Sequence, residues 1–206
     1  MPAHPQPRRP DRPHPLDRPR PDAQAGRVSL RSPCPADKQE FLLLRARSRD
    51  FLAPWEATPP GVRNPFTEAA FDRFLSTAST DTSRRWLIVR NQDGAILGQI
   101  GLGGIIRGAF QSAFVGYWLG SDYARQGYMS EALALALKLA FGPLKLHRVE
   151  ANIIPGNEPS RALVKKLGFR YEGLALRYLR VNHRWQDHEH WAITSEDCKQ
   201  RRPAAN

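Results

Sequence analysis

The sequence predicts a single domain of the mixed α/β class. Its 206 residues are 41% hydrophobic, which is enough chain to bury one sizeable core. Residues 127–141 are apolar on nearly every face, which is typical of a helix that the rest of a domain buries. Strand-forming runs precede and follow this segment. The helix and its flanking strands are therefore predicted to form a crossover unit.

The first half of the predicted domain contains a short strand, two helices and three further strands. The turn at residues 91–94 gives the strongest local signal, because Asp93-Gly94 between two apolar runs is typical of a hairpin. In chain order the predicted elements are a strand at 27–32, helices at 41–47 and 67–77, and strands at 86–90, 95–103 and 110–119.

The second half begins with the buried helix. Gly142-Pro143 is expected to end that helix and Gly168 the next one, because glycine adopts the left-handed conformation that commonly follows a helix. The elements predicted after residues 127–141 are a strand at 147–154, a helix at 159–167, an extended piece at 169–173, and a final hairpin of 176–181 with 184–194.

The two ends of the chain differ in composition from the body. Eight of the eighteen prolines lie in residues 1–22, interleaved with arginines and with almost nothing apolar, so this stretch cannot offset its ordering entropy. We expect residues 1–26 to form a disordered Pro/Arg-rich arm, residues 27–197 the folded domain and residues 198–206 a basic tail. A targeting peptide is the alternative for the arm, although its aspartates and dense proline argue against an amphipathic helix.

The formal net charge of +11 favours anionic partners. The two ends contribute five of these charges, and the body keeps +6. Nucleic acid, the ribosome and a phosphorylated cofactor are all consistent with this balance.

No secretory signal and no run of eighteen apolar residues is evident, so neither export nor a membrane span is indicated. Cys34 and Cys198 lie far apart, which excludes a disulfide scaffold and a CxxC metal site. A reducing, cytoplasmic location is the simplest interpretation.

Residues 116–132 read as the end of a strand, a short glycine-containing loop and the start of the buried helix. The first N–H groups of a helix are unpaired and its dipole is positive there, so this arrangement favours a bound pyrophosphate. No Gly-Lys-Ser/Thr follows as in a Walker loop, and the three glycines of a dinucleotide fingerprint are missing. A purely structural crossover is the alternative.

Several stretches together resemble the GNAT N-acetyltransferase superfamily over about residues 27–197. The stretches that carry this resemblance are residues 116–120, 124–132, 147–152, 157–169 and 172–173. Three more stretches resemble the RimJ/RimL group of ribosomal-protein-alanine N-acetyltransferases, and RimJ more than RimL: residues 49–56, 107–110 and 185–187.

The resemblance implies a mostly antiparallel sheet whose central strands splay apart around acetyl-CoA, with no metal. Backbone N–H groups of the loop and the helix start would hold the pyrophosphate, and the end of the preceding strand would pair with the pantetheine. The implied cofactor-binding residues are Tyr117, Trp118, Leu119, Arg125, Gln126, Gly127, Tyr128, Met129, Ser130 and Asn157. The loop departs from the superfamily pattern Gln/Arg-x-x-Gly-x-Gly/Ala, because Ala124 takes the first place and Met129 the last. Arg125 is therefore expected to supply charge to the phosphates.

The resemblance also implies three candidate catalytic residues, each with a structural alternative. Ser160 would stabilise or protonate the leaving thiolate, or would take part in capping its helix, for which Asn157 is the better cap. Asp187 matches a carboxylate that recurs in the group, or anchors the last hairpin. Glu56 lies on a loop at the acceptor opening, or is merely solvated. No residue is uniquely marked as the general base, and Leu179 stands where RimL-like enzymes have a proposed one.

The histidines of the last strand receive a structural interpretation. His188 and His190 have no evident third metal ligand, so we expect ordinary hydrogen-bonded or exposed side chains. Asp187 and His188 are adjacent on a strand and point to opposite faces, which argues against a relay to a serine.

The resemblance thus implies an acetyl-CoA-dependent N-acetyltransferase. The resemblance implies direct transfer in a ternary complex to a protein N-terminal amine, in particular an alanine of a ribosomal protein. A small amine such as an antibiotic, a polyamine or an amino acid is the alternative acceptor. A non-catalytic RNA- or ribosome-binding module is the alternative of another class, and weak contact with ribosomal RNA is compatible with the enzyme too. The sequence leaves monomer and homodimer both open.

Overall fold

The computed structural model describes residues 18–57 and 67–200. Its strands are β1 (Ala23–Ala25), β2 (Val28–Arg31), β3 (Ser79–Thr80), β4 (Ser83–Arg90), β5 (Ile96–Ile106), β6 (Ser112–Leu119), β7 (Arg148–Ile153), β8 (Arg170–Val181) and β9 (Arg184–Thr194). Its α-helices are α1 (Lys38–Arg47), α2 (Arg49–Leu52), α3 (Glu68–Ser76), α4 (Tyr128–Phe141), α5 (Glu158–Leu167) and α6 (Ser195–Gln200). Short 3₁₀ turns cover Pro35–Asp37, Ala53–Trp55 and Ser121–Tyr123.

These strands form one sheet in the order β1-β2-β4-β5-β6-β7-β9-β8, with β3 paired to β4. β6 and β7 run parallel, and the other neighbours in this order are antiparallel. Parallel neighbours need a crossover connection, which α4 supplies between β6 and β7. The prediction of a mixed, mostly antiparallel α/β domain with its crossover helix at residues 127–141 is confirmed.

Helices cover both faces of the sheet. Along β4, Trp86 and Ile88 point into the core around α4, while Leu87 and Val89 point into a second core beneath α1 and α3. The first core buries most sides of α4, through Tyr128, Ala132, Leu133, Leu135, Ala136, Leu137 and Ala140. The second contains a group of aromatic rings whose centroids lie 5.1 to 5.9 Å apart, formed by Phe41, Phe71 and Phe74.

The two parallel strands separate soon after they meet. β6 pairs with β7 only from Ser112 to Phe114, opposite residues 148–150. β6 stays paired with β5 as far as Leu119, and β7 stays paired with β9 as far as Ile153. The second half of β6 therefore keeps one edge open, and this open edge faces the gap between the strands.

A buried ion pair fixes the chain between β2 and α1. Both terminal nitrogens of the Arg31 guanidinium donate to the Asp37 carboxylate, at 2.8 and 2.7 Å, and the Cys34 backbone N–H donates to the same group at 2.8 Å. Burial alone would raise the pKa of Asp37, but the hydrogen bonds and charge of Arg31 outweigh it and hold that pKa below its usual value.

The predicted boundary of the arm at residue 26 is wrong. β1 pairs with β2 over Ala23–Ala25, and Arg18 Nη2 donates to Glu40 Oε2 at 3.0 Å. The composition of this segment did not predict its ordered structure, because pairing with distant residues holds it in place and its own apolar content does not. Residues 1–17 lie outside the described residues, so their disorder stays a prediction.

The predicted basic tail also begins too early. α6 runs through Gln200, and Cys198 packs against the core around α4. Residues 201–206 lie outside the described residues.

The last hairpin is longer than predicted. The extended pieces at 169–173 and 176–181 are one strand, β8, with register shifts after Tyr171 and after Ala175 that accommodate extra residues.

Across residues 18–57 and 67–200, no helix is long and apolar enough to cross a membrane.

Candidate active site

A cleft of about 490 Å³ opens where β6 and β7 separate. Its walls come from the open half of β6, the end of β7, the starts of α4 and α5, and the segment from α2 to Glu56. Ten of the thirteen predicted site residues line it: Glu56, Tyr117, Trp118, Leu119, Arg125, Gly127, Met129, Ser130, Asn157 and Ser160. The predicted residues that are not part of this lining are Gln126, Tyr128 and Asp187.

The loop before α4 presents a row of unpaired N–H groups. Gly127 O accepts from the N–H groups of Ser130 and Glu131, at 3.0 and 3.3 Å. Within the described part of the chain, the N–H groups of residues 125–129 donate no hydrogen bond. These groups lie at the positive end of the α4 dipole, which suits an anion such as a pyrophosphate.

Left-handed backbone shapes this loop. Gly127 has φ +84° and Arg125 has φ +59°. A Cβ added at Gly127 would lie 3.1 Å from Arg27 Nη2, so a side chain there is both strained and crowded.

Arg27 holds the loop against β2, a contact that the sequence did not predict. Its backbone N–H and Nε donate to the Glu131 carboxylate at 2.8 and 2.7 Å, and its Nη2 donates to Gln126 O at 2.9 Å. The guanidinium also lies 4.6 Å from the Tyr128 ring centroid. Although burial raises the pKa of Glu131, the hydrogen bonds from Arg27 lower it further than burial raises it. Gln126 and Tyr128 thus have structural contacts that support the loop.

Tyr117 and Trp118 point to opposite faces of β6. The Trp118 ring packs in the second core, 5.5 Å from the Phe41 ring, and the Arg45 guanidinium lies 4.8 Å from its centroid. Trp118 can therefore offer its backbone, but not its indole, to a ligand in the gap. The Tyr117 side chain points across the cleft instead.

Tyr117 meets Ser160 at the start of α5. The two hydroxyl oxygens lie 2.7 Å apart. Burial raises the pKa of Tyr117 to about 12, against a smaller opposing effect of its bond with Ser160, so the phenol stays protonated at neutral pH. Asn157 Oδ1 accepts from the Ser160 N–H at 3.2 Å, which confirms Asn157 as the helix cap and leaves the Ser160 hydroxyl for Tyr117 and a ligand.

Glu56 lies on the cleft wall and is paired with Arg45, which is only 6% exposed. The backbone around it is joined to the last hairpin, because Ala57 bridges Val181 and Glu56 O accepts from Asn182 N–H at 3.4 Å. This wall of the cleft is therefore built from the α2 segment and the tip of the β8–β9 hairpin.

Asp187 has a structural contact away from the cleft. Its Oδ1 accepts from the Arg177 N–H at 2.7 Å, where Arg177 has φ +49° within the irregular part of β8. Asp187 precedes His188, which does line the cleft, and neighbouring strand residues face opposite ways. The geometry supports the anchoring alternative over the catalytic one.

A polar wall lies between β7 and the last hairpin, and the sequence pattern predicts only ordinary structural roles for its histidines. His188 is 2% exposed and lines the cleft together with Asn152. Asn152 Nδ2 donates to Tyr178 Oη at 3.3 Å, and the Tyr178 ring contacts the rings of His188 and His190 at 5.6 and 4.8 Å. The spacing of the two histidines was visible in the sequence, but only the strand pairing places one of them at the cleft. No group of three His, Cys, Asp or Glu side chains that could hold a metal ion occurs among residues 18–57 and 67–200.

Comparisons with known proteins agree with this geometry. A family model described as an acetyltransferase (GNAT) domain matches residues 27–170. The [ribosomal protein uS5]-alanine N-acetyltransferase of Escherichia coli is 28% identical over 165 residues, which cover 74% of this chain and 79% of that protein.

Two solved structures share the fold over most of their length. RimJ of Mycobacterium smegmatis, in complex with CoA-disulfide, has a TM-score of 0.77 at 34% identity and covers 82% of this chain and 83% of that one. The ribosomal-protein-S5-alanine acetyltransferase of Vibrio fischeri has a TM-score of 0.76 at 28% identity and covers 88% of this chain and 98% of that one.

Proposed function

Since the chain belongs to the GNAT family of acetyl-CoA-dependent N-acetyltransferases, we propose that it acetylates the N-terminal α-amine of a protein. An alanine of a ribosomal protein is the proposed acceptor, because relatives at 28% identity carry that activity in their names. This acceptor would place the reaction in the cytoplasm, and the charge of the chain suits weak contact with ribosomal RNA.

The structural observation that supports the acetyl-CoA part of this proposal is that the open edge of β6 is followed by the N–H groups of the α4 loop, which are unpaired within the described residues. The open edge of Tyr117 to Leu119 can pair with the amide groups of a pantetheine arm as an added strand would. The N–H groups of residues 125–129 lie where the pyrophosphate of the same molecule would follow. A single extended ligand with two amide groups and a pyrophosphate can therefore bind along the open edge of β6 and the N–H groups of the loop.

The pair of Tyr117 and Ser160 is proposed to act on the leaving sulfur. A protonated Tyr117 can donate to Ser160 Oγ, at 2.7 Å, which leaves the Ser160 hydrogen free to point at the sulfur. A thiol has an ordinary pKa near 8.5, so at neutral pH the thiolate is less stable than the thiol. A hydrogen bond that the sulfur accepts while the C–S bond breaks stabilises the developing thiolate and makes it a better leaving group. Backbone N–H groups at the end of β6 are proposed to stabilise the oxyanion.

The acceptor amine needs to lose protons during the reaction. An α-amine has a pKa of about 7.7 to 8.0, so much of it is protonated at neutral pH. One proton leaves before the nitrogen attacks the thioester carbon. A second leaves the nitrogen as the C–S bond breaks and balances the protonation of the thiolate. The products are the amide, CoA as its thiol, and one proton released to solvent.

A panel assay that follows free CoA tests the acceptor class. Peptides that begin with Ala, Ser or Thr are compared with spermidine, free amino acids and an aminoglycoside at equal concentration. We expect turnover on the peptides, and fastest on Ala. Turnover on the small amines alone would overturn the proposed acceptor, and an assay without acceptor corrects for hydrolysis.

A further inference from the structure

The polar wall between β7 and β9 has the composition of an amine subsite. We propose that His188 Nε2 takes the proton from the acceptor amine and that Asn152 Oδ1 holds the same nitrogen for it. This inference rests on the proposed function, because it assigns the base that acetyl transfer to an amine requires.

The hydrogen bond of His188 fixes which ring nitrogen is basic. Nδ1 lies 3.0 Å from Gln186 O, and a carbonyl oxygen can only accept, so Nδ1 carries the hydrogen. Nε2 then holds the lone pair of the neutral ring. Among the described residues Nε2 has no hydrogen-bond partner, which leaves it available to a ligand in the cleft that His188 lines.

The surroundings of His188 favour its neutral form. Burial lowers the pKa of His188, and nearby His190 adds to this effect, while the Gln186 carbonyl and Asp187 oppose it. The Tyr178 ring packs against the imidazole at 5.6 Å. A neutral imidazole at neutral pH is the state that can accept a proton.

The charged groups near this wall are already paired with partners of their own. Glu150, on the same face of β7 as Asn152, accepts from Arg148 Nε at 2.6 Å. Glu189, which neighbours His188, accepts from Arg161 Nε at 2.9 Å and from Trp191 Nε1 at 2.9 Å.

The carboxylates proposed from sequence as possible bases are occupied in the same way. Glu56, across the cleft, is paired with Arg45. Asp187 bonds to the Arg177 N–H and is not on the cleft wall. His190 Nε2 is also buried without a hydrogen-bond partner among the described residues, but His190 does not line the cleft. His188 is therefore the histidine of this wall whose unpaired ring nitrogen can meet a ligand in the cleft.

Asn152 supplies a second acceptor beside His188. Its Nδ2 donates to Tyr178 Oη, whereas its Oδ1 is buried and has no hydrogen-bond partner within the described residues. Buried polar atoms are nearly always satisfied, so an unsatisfied acceptor on a cleft wall indicates a donor supplied by a ligand. A protonated amine offers three donors and can give one to Asn152 Oδ1 and one to His188 Nε2.

The proposed step is balanced. The bound ammonium gives one proton to His188 Nε2, which passes it to solvent and regains its lone pair. The nitrogen then forms its bond to the thioester carbon, the C–S bond breaks with its electron pair going to sulfur, and the second proton of the nitrogen balances the protonation of the leaving thiolate, which departs as the CoA thiol. Asn152 keeps its hydrogen bond to the nitrogen throughout.

The test compares His188→Gln and His188→Ala with the wild type on the best acceptor of the panel. We expect kcat/KM to fall about 100-fold or more, as is typical for loss of a general base, with the Kd for acetyl-CoA in calorimetry unchanged. Added imidazole is expected to restore part of the activity of His188→Ala. His147→Gln is the matched control, because His147 is exposed and pairs with Glu196 away from the cleft.

The pH profile and the ring tautomer separate a base from a packing residue. Below the pKa of His188, log kcat/KM of the wild type should rise with pH with a slope approaching 2, because the base and the amine each lose a proton. In His188→Gln the slope should be 1, because only the amine titrates. In NMR spectra of the uncomplexed protein, His188 should carry its hydrogen on Nδ1.

Two kinds of contrary result distinguish failure of the base assignment from failure of the proposed function. Folded His188 variants with wild-type kcat/KM, or a ring protonated on Nε2 alone, would overturn the base assignment while the acetyltransferase stands. A wild type that binds acetyl-CoA and acetylates no amine would overturn the proposed function and this inference with it.

Discussion

Tyr117 and Ser160 join β6 to the first turn of α5 through hydroxyl groups 2.7 Å apart. The two residues lie on opposite sides of the gap that opens between the central strands, and both line the cleft. Their contact places a hydrogen-bond donor at the end of the open β6 edge, where the reacting thioester is proposed to lie.

Tyr117→Phe removes this contact with little change of shape. We expect kcat to fall about tenfold, since a net hydrogen bond is worth about 0.5–1.5 kcal/mol, with the KM for acetyl-CoA within about threefold. Ser160→Ala should cost at least as much, and the double variant should cost less than the two single effects combined. Full additivity in this double-mutant cycle would show that the two hydroxyls act independently.

Gly127→Asp should strongly weaken acetyl-CoA binding. The substitution puts a side chain at φ +84° and a negative charge where the phosphates are proposed to lie, so we expect at least a tenfold rise in the Kd measured by calorimetry. Gly94→Asp is the matched control, because Gly94 also has a positive φ, of +71°, in a hairpin turn that does not line the cleft. Acetyl-CoA binding that stays intact in Gly127→Asp would mean that this loop does not hold the cofactor.

Asp187→Asn separates an anchor from a base. Because the amide oxygen of asparagine can still accept from the Arg177 N–H, we expect kcat/KM within about threefold of the wild type. Asp187→Ala should lower the free energy of unfolding by about 0.5–1.5 kcal/mol, since it removes a solvent-exposed hydrogen bond whose donor water can still satisfy. A 100-fold loss of kcat/KM in Asp187→Asn with normal stability would restore the catalytic interpretation.

Asp37→Asn should destabilise the fold by about 3–5 kcal/mol, because it leaves the buried Arg31 guanidinium without its counter-charge. The folded pKa of Asp37 is lowered, so its contribution is fully present above the unfolded value of about 3.9 and is lost as pH falls through the folded value. Urea unfolding from pH 7 down to pH 3 should show this loss in the wild type and its absence in the variant.

The surface pair of Lys38 and Asp72 provides the control for that measurement. Asp72 is more than half exposed, so Asp72→Asn should cost no more than about 1 kcal/mol. Equal costs for the two substitutions would argue against a buried structural role for Asp37.

Local patterns predicted the parts of the site that are continuous in sequence. The apolar segment at 127–141, the glycine at its start and the Asn157 cap each follow from residues within a few positions of one another. The strand and helix order followed in the same way, because hydrophobic periodicity and turn residues are local signals.

Contacts between distant residues were not predictable from this single sequence. Arg27 and Glu131 are 104 positions apart, and their contact depends on β2 lying beside the start of α4. His188 reaches the cleft only because β9 pairs with β7. The family resemblance leaves Asp187 as either a catalytic residue or a hairpin anchor, and the structure shows that its face of β9 points away from the cleft. β1 is held by its partner strand, which its own composition does not reveal.

The central claim is best tested by locating the acetyl group on a product. A peptide that begins with Ala and contains an internal Lys is incubated with the protein and acetyl-CoA, and fragmentation mass spectrometry assigns the modified nitrogen. We predict acetylation of the N-terminal α-amine and an unmodified lysine. Acetylation of the lysine alone, or of small amines but not of the peptide, would contradict the account.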